Sequence, residues 1–185
     1  MLAAIIVIVV IVLLIVFLIS LYNGMVRARN KVDEAWSGID VQLKRRHDLI
    51  PNLVETVKGY AAHERETFQA VTDARTKAMS ASGPAQAGAA EGLLSQALGR
   101  LFAVAEAYPQ LRATENFQQL QAELAGTEDR IAVSRQVYND TVLTYNNAVQ
   151  QVPTNLVAGV FGFELREYFE LDTGDAAREP VAVDL

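Results

Sequence analysis

The sequence predicts an all-α protein: an N-terminal transmembrane helix followed by long helices packed against one another. Three observations carry this. Residues 1 to 22 contain no Asp, Glu, Lys, Arg or His. Beyond them apolar residues recur at alternating steps of three and four, the spacing of a helical seam. No segment alternates with period two for long, so no sheet is expected.

The run LAAIIVIVVIVLLIVFLISLY, Leu2 to Tyr22, would reach roughly 31 Å as a helix, about the thickness of a bilayer's hydrocarbon core. A cleaved signal peptide needs a basic n-region, a shorter apolar core and a small-x-small cleavage site. Here no Lys or Arg precedes the core, and Ser20-Leu21-Tyr22 is a poor cleavage site. The segment therefore reads as an uncleaved single-pass anchor in contact with the lipid bilayer through residues 2–22. Arg27, Arg29 and Lys31 follow it, so the positive-inside rule places the soluble part in the cytoplasm and the short N-terminus outside. The small residues Ala3, Ala4 and Ser20 make no small-xxx-small pattern, so the span is not built as a close-packing dimer face.

After the anchor a heptad-like, coiled-coil-style stripe runs Val32, Trp36, Ile39, Leu43, Ile50, Leu53, Val57, Tyr60, Phe68, Val71, Arg75. Arg46 and Glu64 are polar steps in it. One helix from Gly24 to Met79 would be about 84 Å long. SASGPAQAGAAEG, Ser80 to Gly92, has no stripe and reads as a loop or frayed turn. A second helix runs from Leu93 to Tyr108 and stops at Pro109. A third starts near Thr114 as N-cap and ends before Pro153, with Phe117, Leu120, Leu124, Ile131, Tyr138, Val142, Tyr145 and Val149 on its seam. The seam keeps its register across Pro51 and slips at Pro109. Pro51 therefore bends a helix and frees the carbonyl of His47, while Pro109 ends one. Asn155 to Phe163, NLVAGVFGF, reads as a short helical turn and a bend. Its apolar side chains need cover, with docking on the helical body favoured over a neighbouring subunit and the membrane surface last.

Three organisational segments follow: an anchor over residues 1–23, a helical body over 24–163 and an acidic tail over 164–185. The tail carries −5 of the formal charge of −6. No basic stripe marks a nucleic-acid binder. The absence of cysteine excludes disulfides, thiolate metal sites, a cysteine nucleophile and a cysteine-linked lipid anchor.

His47-Asp48 beside Arg45 and Arg46 is the one constellation suggestive of chemistry. The only other histidine, His63, would lie roughly 24 Å away on one continuous helix. His63-Glu64 opens an HExxH pattern, but position 67 is Thr. No nucleophile elbow, phosphate loop or nucleotide fingerprint is present. The expectation is no enzyme, with no catalytic, cofactor-binding or metal residues. Asp48 can cap the bend, and Arg46 and Glu64 need partners, for which Glu123, Glu128, Arg130 and Arg135 are candidates.

YNGMVRARNKVDEAWSGIDVQLKRRHDLIPNLVETVKGYAAHE, AVAEAYPQLRATENFQQLQAELAGTEDRIAVSRQVYNDTV and QVPTNLVAGVFGFELREYFEL resemble the signature of the LemA family, over nearly the whole chain. The resemblance implies a single-pass protein of the bacterial inner or plasma membrane whose soluble part is an antiparallel helical bundle, without catalytic residues. Family relatives linked to magnetosome membranes imply a membrane-organising task by analogy. Together with the residues, this leads to a membrane-tethered, non-enzymatic interaction scaffold with protein partners or self-association. A self-assembling membrane-organising or remodelling protein is the alternative.

Overall fold

A computed structural model describes residues 1–171, and among them there are helices and no strands. The acidic tail expected over 164–185 lies outside the described residues from 172 onward. Six helices follow in order: α1 Leu2–Lys58, α2 Arg65–Ser80, α3 Pro84–Glu106, α4 Pro109–Arg112, α5 Glu115–Gln150 and α6 Thr154–Phe161. The described residues form two compact units, one of Met1–Ile39 with Ser134–Tyr168, the other of Asp40–Val133 with residues 169–171.

In the second unit, the last part of α1, then α2, α3, α4 and the first part of α5 share a core. Ile50, Leu53, Val57, Phe68, Val71, Leu94, Leu98, Leu101, Phe117 and Leu124 are all buried in it. These are the positions that the three-four spacing selects, because only one stripe of each helix can face inward. On α5 and α1 the pairing is antiparallel: Thr56 meets Asn116, and the earlier Arg46 meets the later Glu128.

Two sequence expectations fail in this unit. The single helix to Met79 is broken after Lys58, where Tyr60 and Ala61 both donate to the carbonyl of Val57. The chain then reverses into α2, and Arg75 reaches back to His47. Gly59, a weak helix former, sits at the break. The apolar register carries on through it because α2 faces the same core as α1, so seam phase does not distinguish a continuous helix from a hairpin.

The stretch from Ser80 to Gly92 is the second failure. Only Ala81–Gly83 is non-helical; Gly83 takes a positive φ of 81° and Pro84 opens α3. The Ala and Gly content serves close approach rather than looping. A Cβ placed on Gly88 would lie 2.0 Å from the carbonyl oxygen of Glu170, so the extended C-terminal segment crosses α3 where no side chain intervenes.

In the first unit, α1 to Ile39 pairs with α5 from Ser134. Met25, Val32, Ile39, Tyr138, Val142 and Tyr145 are buried. Trp36, on the apolar stripe read from the sequence, is only half-buried, its ring 5.5 Å from that of Tyr138. Residues 163–168, outside any helix, run along this unit. The Asn146 side chain holds both the N–H and the C=O of Arg166 at 2.9 Å, and the Tyr138 hydroxyl donates to the carbonyl of Glu167 at 2.8 Å.

Candidate functional site

Two places stand out, one polar in the second unit and one apolar in the first. The polar one centres on Glu91 of α3, 1% exposed. Arg46 Nη1 donates to its Oε2 at 2.9 Å, and His47 Nε2 lies 2.5 Å from its Oε1. Arg46 Nη2 donates to Ser95 Oγ at 2.8 Å and meets Glu128 of α5 at 3.2 Å. One guanidinium thus ties α1 to both α3 and α5. A buried carboxylate is tolerated only when its oxygens are paired, and here both are.

Of the partners expected for Arg46, Glu128 is in place, while Glu91 was missed because its segment read as a loop. Asp48 is exposed. The carbonyl that Pro51 frees accepts from Arg75 Nε, a donor that the Asp48 carboxylate could not supply. Ser95 Oγ is held by Arg46 and not by His47, so the cluster contains no base-activated nucleophile of the kind hydrolases use. Beside it lies a cavity of about 350 Å³ between Leu98, Phe102 and Leu124, with Arg46 and Glu128 at its edge. Among the described residues no group of three or more His, Asp or Glu is placed to hold a metal ion.

The apolar place lies where the span of α1 ends. Every residue from Met1 to Ser20 is exposed. Among the described residues α1 is the one helix apolar and long enough to cross a membrane. The Tyr22 ring sits 4.8 Å from Phe161 and 5.8 Å from Phe163. Leu18, Ile19 and Tyr22 enclose, with Leu156, Val157, Val160 and Phe161 of α6, a hollow of about 430 Å³. α6 buries Val157 and Ala158, and Gly162, at a φ of 69°, turns the chain so that Phe163 is buried too. Leu156, Val160 and Phe161 remain 67, 79 and 60% exposed. The segment therefore docks by one face, against the end of the span, and leaves the other open. Sequence reading found its apolarity but not its neighbour, since no local signal links residue 156 to residue 18.

Just past this point Arg29 lies over the Phe163 ring at 5.4 Å, and Arg166 pairs with Asp33 at 2.9 Å. Burial raises Tyr138 to a pKa of about 12, against the lowering effect of Arg166. Burial raises Tyr145 as well, again opposed by Arg166 and by Arg29.

A helical fold whose first helix exposes a bilayer-length apolar run defines a membrane-associated all-α protein. The LemA family model matches residues 35–185, and the chain belongs to the LemA family. It is 30% identical over 179 residues to magnetosome protein MamQ 2 of Paramagnetospirillum magneticum, covering 83% of this chain and 66% of that one. It is 30% identical to magnetosome protein MamQ of Magnetospirillum gryphiswaldense, over 85% of this chain and 68% of the relative. Protein LemA of Metamycoplasma hominis is 27% identical, over 74% of this chain and 63% of its own length. The chain spans just under two thirds of the length of the Paramagnetospirillum relative.

Proposed function

We propose that the chain is a membrane-anchored, non-enzymatic interaction scaffold of the bacterial cell membrane, with its N-terminus outside and its helical body in the cytoplasm. The observation that carries this reading is α1 itself. The exposed apolar run passes, within one helix and without a loop, into the buried positions Met25, Val32 and Ile39. An anchor that is also a core element suits a protein that holds a helical surface at the membrane. Arg27, Arg29 and Lys31, immediately beyond Tyr22, favour the cytoplasmic side for the body. The charges of the polar cluster pair with one another, which suits a role in fixing helix register.

The cysteine-free chain makes the test simple. A single cysteine in a short polar extension ahead of Leu2, or one at Gln119, is exposed to a membrane-impermeant maleimide on intact spheroplasts. Labelling of the N-terminal cysteine before lysis and of Gln119→Cys only after it is the expected result; the reverse pattern overturns the orientation. Defined proteins that co-purify with the full chain in mild detergent support the scaffold.

The similarity to magnetosome proteins favours a second reading, a self-assembling membrane-organising protein. Light scattering of the full chain in detergent separates the two: a large assembly goes with the second and a monomer with the first.

A further inference from the structure

We infer that α6 is a second membrane element: its open face lies in the bilayer at the level where the α1 span emerges. This rests on reading residues 2–22 as a span. A hydrocarbon core of about 30 Å takes roughly 20 helical residues, so a span entered near Leu2 leaves the core near Tyr22. α6 faces Leu18 and Ile19 across the hollow, and its Phe161 ring meets Tyr22, all in the last turns before that exit. α6 therefore sits at the boundary between acyl chains and headgroups, whichever leaflet that is.

The side chains it leaves uncovered fit that level. Leu156 and Val160, four apart on one helical face, and Phe161 beside them are all more than half exposed. In water such a cluster next to an already apolar helix would extend an uncovered patch. In the boundary layer it is covered by the same lipid that covers the span, and the hollow between α6 and α1 is walled by apolar and aromatic groups that an acyl chain can fill. The occupant is lipid because this surface is continuous with the surface the span presents to lipid.

The charge pattern agrees once it is read in space. There is no Lys or Arg between Pro153 and Leu165, which in sequence argues against an anionic surface. The fold supplies the missing cations from α1: Arg29 lies over Phe163, and Arg27 and Lys31 flank it in the chain. Tyr22 is an aromatic group of the type enriched at such interfaces. The first acidic residue, Glu164, comes only after the Gly162 turn has led the chain away from α6.

The test uses the full chain in vesicles of phosphatidylethanolamine and phosphatidylglycerol, with an environment-sensitive fluorophore on single cysteines. Leu13→Cys reports the span, Val160→Cys reports α6, and Val137→Cys, exposed on α5, reports the aqueous side. Nitroxide groups are carried on the lipids either near the headgroup or deep in the acyl chain. Leu13 should lose most emission to the deep nitroxide, Val160 to the shallow one, and Val137 to neither. If Leu13 is quenched while Val160 behaves like Val137, the inference is overturned and the span stands. If Leu13 is not quenched, the span reading falls and the inference falls with it. A Val160 that escapes both nitroxides but cross-links to Val160 of another molecule assigns the face to a second copy and overturns the lipid assignment.

Discussion

The backbone carbonyl of His47 accepts a hydrogen bond from Arg75 Nε at 2.8 Å. That carbonyl is the one whose helical partner would be the N–H of residue 51, and residue 51 is proline. α1 runs through Pro51 unbroken because a side chain from α2 replaces the missing donor. The hydrogen bond also marks the hairpin, since Arg75 can reach His47 only if α2 folds back along α1.

Arg75→Met should therefore cost roughly 1–3 kcal/mol by leaving the His47 carbonyl without its partner. Pro51→Ala restores an N–H at that position and should be close to neutral alone. In the Pro51→Ala background the Arg75→Met cost should shrink, a coupling that a double-mutant cycle by denaturant titration measures. Equal costs in both backgrounds would show that Arg75 stabilises the fold by some other contact.

Gly88→Ala should destabilise by about 1–3 kcal/mol, because the added methyl meets the backbone of Glu170 and not a movable side chain. Protease sensitivity near Glu170 should rise with it. Gly99, on the same helix with open space around its Cβ position, is the control: Gly99→Ala should gain up to about 1 kcal/mol from helix propensity. Similar effects at both sites would remove the case for a close crossing at Gly88.

Glu91→Leu removes the buried one of the two carboxylates that pair Arg46, and the partner of His47, and should cost roughly 3–5 kcal/mol. Replacing both, as Arg46→Met with Glu91→Leu, should recover much of that loss, because two desolvated charges then disappear together. The readout is the denaturation midpoint of the full chain in detergent. A double variant no better than Glu91→Leu would mean that the guanidinium is held chiefly by Ser95 and Glu128.

Tyr138 has a folded-state pKa of about 12, above the ordinary phenol value of 10.0. The folded form therefore holds its proton in the window between those values while the unfolded form gives it up. The contribution is fully present below about pH 10 and is lost as pH rises through about 12. Tyr138→Phe should remove part of this alkaline loss and cost about 1 kcal/mol near neutrality through the bond to Glu167. Some slope should persist, since Tyr145 is raised too. An unchanged alkaline profile, followed by tyrosinate absorbance and melting, would refute a buried hydroxyl at Tyr138.

The elements were largely legible because they obey local rules. Leu94, Leu98 and Leu101 on α3, and Phe117, Leu124 and Ile131 on α5, are buried where periodicity places them. Thr114 lies at the start of α5, its hydroxyl accepting from the N–H of Phe117. The polar site was half legible: Arg46 was seen to need an anion, but Glu91 lay in an Ala- and Gly-rich stretch whose composition mimics a loop. Small residues lower apolar periodicity and permit close packing at once, and sequence alone does not separate those effects.

Anchor, helix class and apolar faces were set by the sequence itself, because hydrophobic burial and span length depend on residue type and spacing along a single helix. Tertiary structure alone decided the reversal after Lys58, the choice of Glu91 for Arg46 and His47, the crossing at Gly88, and the seat of α6 beside Tyr22. Each joins residues far apart in the chain, and which of several chemically adequate partners is met depends on the path of the backbone between them.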